Sequence, residues 1–159
     1  MSINAIYAGS FDPITNGHLD IIRRALNIFD RVHVSVIDNI EKQPLFSIDE
    51  RIDLISNSID SNRVVIEGFQ GLLVDYARKK QIFNLIRGLR AVSDFEYEFQ
   101  MSLTNRSQDP RIDTVFLMTD QSYSYLSSSI VRQLAQLNGN ISEYVTEYVK
   151  TKLEEKFHG

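Results

Sequence analysis

The sequence holds no cysteine, which rules out disulfides and any thiolate-held metal centre. It also lacks a run of lysines or arginines: 17 basic residues face 21 acidic ones, for a formal net charge of -4. The basic footprint that a nucleic-acid binder needs is therefore missing, and no nucleic-acid partner is expected. Any anionic ligand must be held by a few local groups. No apolar run approaches the roughly 20 residues that cross a bilayer, and the N-terminus shows neither the basic nor the apolar region of a signal peptide. The expectation is a soluble, cytoplasmic protein with no membrane partner. Repeats and low-complexity linkers are absent too, and 159 residues suit one domain, 1–159, able to bury a core without staples.

What the chain does hold is an alternation. Runs at 3–8 (INAIYA), 32–37 (VHVSVI), 63–67 (RVVIE), 82–86 (IFNLI) and 114–118 (TVFLM) read as strands. Helical patterns lie between them. Ile22, Ala25, Leu26 and Phe29 fall on one stripe, and Ile48, Ile52, Ile55 and Ile59 on another over 48–59. A last helix over 141–156 puts Ile141, Tyr144, Val145, Tyr148, Val149 and Leu153 on one face. Ser47 with Glu50, Ser93 with Glu96 and Asn140 with Glu143 have capping-box spacing or a close variant and mark helix starts. This order implies an α/β fold: a single doubly wound, Rossmann-like domain with a five-stranded parallel sheet and helices on both faces. Such sheets bind ligands beyond the carboxyl ends of their strands, where the strand order reverses.

That rule sorts the polar residues. Gly9, Ser10 and Phe11 follow the first strand, Lys42 the second, Gly68 and Gly71 the third, Arg87 and Arg90 the fourth, and the stretch QSYSYLSSSIVR the fifth. Glycines, hydroxyls and cations at one edge are what phosphates require, because backbone amides and positive charge then approach without bulk. His18 either continues the apolar stripe of Ile22 or serves the site, and its place in a first helical turn after a glycine loop favours the site. By spacing alone Arg87 and Arg90 read equally as surface charges or ligand cations, and Lys42 alone as a solvated loop lysine. Ser127, Ser128 and Ser129 read as a helix cap, or as a cap whose free hydroxyls and amides face an anion. Leu72 and Leu73 read as core, Asp12 and Pro13 as turn residues, and His33 and His158 as having no catalytic role.

TNGH at 15–18 resembles the (H/T)xGH signature of the nucleotidyltransferase superfamily, and LSSSIVR at 126–132 resembles its second signature, ISSTxxR. GSFDPITNGH, KQPLF and above all IRGLRAVSDFEYE narrow the likeness to the bacterial phosphopantetheine adenylyltransferase family, in order along essentially the whole chain. The resemblance implies transfer of the adenylyl group of ATP to 4′-phosphopantetheine, giving dephospho-coenzyme A and pyrophosphate in coenzyme A synthesis. It implies Mg2+ carried mainly by the ATP phosphates with no protein ligand named, a homohexamer, and coenzyme A as a feedback inhibitor.

By matching position, the resemblance makes His18 a transition-state stabiliser at the ATP α-phosphate, with Lys42 and Arg90 as further catalytic residues. Ser10, Lys42, Leu73 and Arg87 would bind phosphopantetheine. ATP would be bound by Ser10, Phe11, His18, Gly88, Leu89, Arg90, Glu98, Tyr123, Ser124, Tyr125, Leu126, Ser127, Ser128 and Ser129. Ser10 stands where the family commonly has threonine and Ala8 where it has proline; Ser129 and Leu126 replace threonine and isoleucine, and both hydroxyls survive. The signatures are shared with enzymes that adenylylate nicotinate mononucleotide or transfer cytidylyl groups, and a silent nucleotide sensor is a rival on the same fold. The segment RGLRAVSDFEYE favours phosphopantetheine.

Overall fold

The computed structural model describes residues 1–39 and 43–159. Strand and helix alternate as β1 (Asn4–Gly9), α1 (Asn16–Ala25), β2 (Arg31–Ile37), α2 (Ile48–Ser56), β3 (Val64–Phe69), α3 (Leu73–Lys80), β4 (Asn84–Leu89), α4 (Val92–Gln108) and β5 (Asp113–Met118). A short 3-10 turn over Gln121–Tyr123 leads to α5 (Ser128–Gln136) and α6 (Glu147–His158). The five strands form one parallel sheet in the order β3-β2-β1-β4-β5. The chain winds outward from β1 to β3, then crosses back to β4, so the reversal falls between β1 and β4. A crevice opens at the carboxyl ends of those two strands.

The side chains of β1 alternate between two cores, as a pleated strand buried on both faces requires. Ala5 and Tyr7 point to one core with α1, α2, α5 and α6. Ile6 and Ala8 point to the other, where Val74, Tyr76 and Ala77 of α3 pack, and α4 lies over β4 and β5. Burying each Ile, Leu or Val here stabilises by about 1.5–3 kcal/mol.

Ser47 and Glu50 close the expected capping box on α2, at 3.1 and 2.7 Å. Several boundaries differ from expectation. β3 and β4 run on to Phe69 and Leu89, so Gly68, Arg87 and Gly88 lie within strands, paired with Val36, Phe116 and Leu117. At Gly68 a Cβ would meet Ile48 Cδ1 at 2.5 Å, so this glycine lets α2 approach the sheet. β4 starts at Asn84 because α3 ends in a left-handed Gln81, whose neighbour Ile82 still bonds back to Ala77. The α4 helix is entered from Ala91, with no side-chain cap, and not from Ser93. The last helix begins at Glu147 and not near 141, with Thr146 as its cap. Asn140 accepts from Ser142 N–H instead, and the carbonyls of Glu143 and Tyr144 accept from Asn16 at the start of α1. The apolar face is as expected, since Ile141, Val145, Val149 and Leu153 are all buried. Leu72 is not core; it is 51% exposed.

Candidate active site

The first loop builds the site. Phe11 holds φ +47°, a left-handed conformation uncommon for a residue with a side chain. Its ring folds back over Gly9, where a Cβ would lie 3.2 Å away, and stands edge-on to His18 with centroids 5.1 Å apart. The α1 helix then opens on a capping box in which His18 replaces the usual Glu or Gln. Thr15 Oγ1 accepts from His18 N–H at 3.3 Å, and His18 Nδ1 accepts from Thr15 N–H at 3.0 Å. With Nδ1 accepting, the neutral ring carries its proton on Nε2. Burial and then the positive fields of Arg90 and Arg87 push the His18 pKa down to about 4. The ring is therefore neutral at pH 7 and offers one donor, Nε2–H.

Both arginines are held by carboxylates on α4. Arg87 donates through Nε and Nη2 to Glu98, each at 2.7 Å, and through Nη1 to Ala8 O at 2.9 Å. Arg90 donates to Asp94 at 3.0 Å and to Leu126 O at 3.0 Å. A fork of this kind fixes the guanidinium plane. It also cancels the charge.

The α5 helix starts from Ser127, whose Oγ accepts from Ile130 N–H at 3.2 Å. Ser128 Oγ donates to Pro13 O at 2.8 Å, and Ser129 Oγ accepts from Arg132 at 3.2 Å. The three hydroxyls thus brace the helix, and the groups that α5 presents to an anion are its first-turn amides.

These parts surround a cavity of about 250 Å³ at the strand-order reversal. A second, more apolar cavity of about 300 Å³ adjoins it and is lined by Leu72, Leu73, Ile86 and Met101 among others. The two share Ala8, Arg87 and Glu98. Among the described residues, no group of three or more His, Asp or Glu side chains is placed to hold a metal ion.

Residues 6–134 match a family model described as cytidylyltransferase-like. The chain is 54% identical over 156 residues to a phosphopantetheine adenylyltransferase of Dictyoglomus thermophilum, covering 98% of this chain and 95% of that protein. It is 54% identical over 152 residues to the enzyme of that name from Alkaliphilus metalliredigens, covering 95% and 97%. The chain belongs to the phosphopantetheine adenylyltransferase family. Its fold is shared with the bifunctional NMN adenylyltransferase/ADP ribose pyrophosphatase of Francisella tularensis, solved in complex with AMP and a manganese ion. That likeness has a TM-score of 0.71 at 20% identity and covers 98% of this chain but only half, 50%, of the other.

For a phosphopantetheine adenylyltransferase, the expected residues converge well. Ser10, Phe11, His18, Arg87, Gly88, Arg90, Glu98, Tyr123, Leu126, Ser127 and Ser128 all line the first cavity. Leu73 lines the second. Ser129 lines a neighbouring hollow with Ser10 and Arg132. Leu89, Ser124 and Tyr125 are not among the lining residues: Leu89 O accepts from Thr119, and Tyr125 turns its hydroxyl to Tyr144 at 3.4 Å. Lys42 lies outside the described residues. Sequence reasoning did not single out Tyr7, Asp94 or Thr119, which also line the cavity. It missed the role of Thr15 as well, although T-x-x-H has capping-box spacing.

Proposed function

We propose that this member of the family transfers the adenylyl group of ATP to 4′-phosphopantetheine by in-line attack of the substrate phosphate on the ATP α-phosphate, giving dephospho-coenzyme A and pyrophosphate. The observation that carries the reading is His18: a neutral imidazole, fixed by Thr15, beside two forked arginines at the strand-order reversal. A phosphate monoester is already an anionic nucleophile, so no general base is needed. Rate comes from positioning and from donors aimed at the charge that builds up during transfer.

His18 Nε2–H and the first-turn amides of α1 meet the α-phosphate, and the amides of α5 take the outer phosphates. The charged residues lining the first cavity, Arg87 with Glu98 and Arg90 with Asp94, sum to zero. Further positive charge is therefore required to gather two anionic substrates, and this is the role assigned to Lys42 at the phosphopantetheine phosphate. The arm of that substrate lies in the apolar cavity against Leu73, with Arg87 at the junction.

Asp94 and Glu98 are both bound to arginines, and the remaining lining donors are hydroxyls and amides. This set fits an Mg2+ ion that arrives on the triphosphate with its own waters. Magnesium would supply charge neutralisation at the outer phosphates. Coenzyme A, which contains the same arm, competes for both cavities. The reading further includes a homohexamer acting in the cytoplasm; no helix among the described residues is long and apolar enough to cross a membrane.

Pyrophosphate release from ATP and magnesium is measured with 4′-phosphopantetheine and nicotinate mononucleotide in separate reactions. Release with phosphopantetheine alone is expected. Release with the mononucleotide alone overturns the substrate, and silence with both alongside ATP binding overturns the reaction. In the same assay Lys42→Ala raises the KM for phosphopantetheine more than that for ATP; the reverse pattern means the two phosphate sites have been exchanged.

A further inference from the structure

Tyr7 is the one phenol at the floor of the first cavity that enters none of the roles above. It sits on β1, paired with Val34 and Ile86, and only 5% of it is exposed. Its ring is locked edge-on against Phe11, with centroids 5.3 Å apart, and lies 6.4 Å from the ring of His18. The hydroxyl stands 4.0 Å from where a Cβ on Gly88 would be; Gly88 follows Arg87 in β4, and Arg90 comes just after the strand. Among the described residues nothing accepts from it or donates to it, although the other enclosed tyrosine, Tyr76, bonds both Ser35 and Glu67. The ring is enclosed, but the hydroxyl is not among the sealed, unpartnered polar atoms and opens into the cavity, where a ligand oxygen can meet it. It lines the first cavity and not the apolar one, so the partner it lacks belongs to the nucleotide side.

We propose that Tyr7 is a further catalytic residue, whose hydroxyl donates a hydrogen bond to a non-bridging oxygen of the phosphoryl group in transfer, alongside His18 Nε2–H. The proposal rests on the adenylyl-transfer reading. Burial raises the phenol pKa further than the two arginines lower it, so the group stays protonated and acts as a donor only. No proton is transferred in the step. The bond gains strength as negative charge collects on the phosphoryl oxygens, which assigns its effect to kcat.

Tyr7→Phe removes the hydroxyl and keeps the ring. With the full chain and both substrates saturating, kcat falls about 100-fold, while KM for ATP and for phosphopantetheine and the urea midpoint stay near wild type. A kcat within threefold of wild type overturns the proposal, as does a loss that appears only in the KM for phosphopantetheine. ATP carrying sulfur at one α-phosphate non-bridging position provides a second readout. The rate penalty of one diastereomer in the wild type shrinks in Tyr7→Phe if the hydroxyl faces that oxygen, and equal penalties in both proteins for both diastereomers overturn the contact. Wild-type release of pyrophosphate with phosphopantetheine is the control. Its absence sinks the functional reading, whereas its presence with an undiminished Tyr7→Phe sinks only the role of Tyr7.

Discussion

His18 does two jobs through its two nitrogens. Nδ1 caps α1, and Nε2–H faces the cavity. His18→Gln separates them, because a glutamine carbonyl can still accept from Thr15 N–H in the box. Stability at pH 7 is expected to stay within about 0.5 kcal/mol of wild type, ATP affinity to be near normal, and turnover to fall by two orders of magnitude or more. Equal, modest losses in affinity and turnover would remove the transition-state role. The pH dependence has a definite sign. The folded pKa of about 4 lies below the ordinary value of 6.5, so between those values the unfolded chain binds more protons than the folded one. The contribution is complete above pH 6.5 and is lost as pH falls toward 4. Urea titrations at pH 7.5 and 4.5 should show a larger drop for wild type than for His18→Gln. At Gly88 a Cβ would meet Ile21 Cγ1 at 3.0 Å, so Gly88→Ala is expected to destabilise by about 1–3 kcal/mol in urea unfolding.

Among the elements, α2 is anchored by a residue that periodicity concealed. Arg51 is 2% exposed and has no carboxylate partner among the described residues. Its guanidinium donates to Ser10 O at 2.9 Å, Ile37 O at 3.0 Å and Phe46 O at 3.1 Å. It thereby ties the first loop, the end of β2 and the approach to α2. Arg51→Met leaves these carbonyls without donors and is expected to cost about 3 kcal/mol, read as a lower urea midpoint. The sequence told of α2 through its isoleucines and its capping box, since both are local signals. A buried arginine is legible only once the carbonyls around it are assembled, and by pattern alone it counts against burial. The same division holds elsewhere. The five strands announce themselves by β-branched runs, but glycines 68 and 88 read as strand ends when they are strand residues that admit a neighbouring side chain. The cap on α1 was missed because histidine stands where glutamate is usual, and the start of α6 was misplaced because the carbonyls of Glu143 and Tyr144 serve α1 instead. The residues that line the first cavity were largely legible through the two signatures and the segment IRGLRAVSDFEYE; the pairing of the arginines to Asp94 and Glu98 depends on how α4 lies across β4.

For the whole molecule, the outer side of α4 stands out. Phe95 and Phe99, stacked on each other, and Leu103 share one stripe and are 46%, 48% and 49% exposed, and Met118 on the edge strand β5 is 76% exposed. Contiguous apolar surface of this kind is covered in assemblies. Phe99→Glu is expected to convert the proposed hexamer to smaller species in sedimentation velocity while far-ultraviolet circular dichroism is unchanged. An unaltered sedimentation coefficient would place the interface elsewhere.

Asp94 and Glu98 sit four residues apart on the inner side of that same helix. A tilt or slide of α4 therefore shifts both guanidiniums in step. On the proposed roles, Arg87 for phosphopantetheine and Arg90 for ATP, such a motion would act on both substrate sites at once. On the same roles, β1, the first loop and α5 are the elements through which preference for a single substrate would be altered alone.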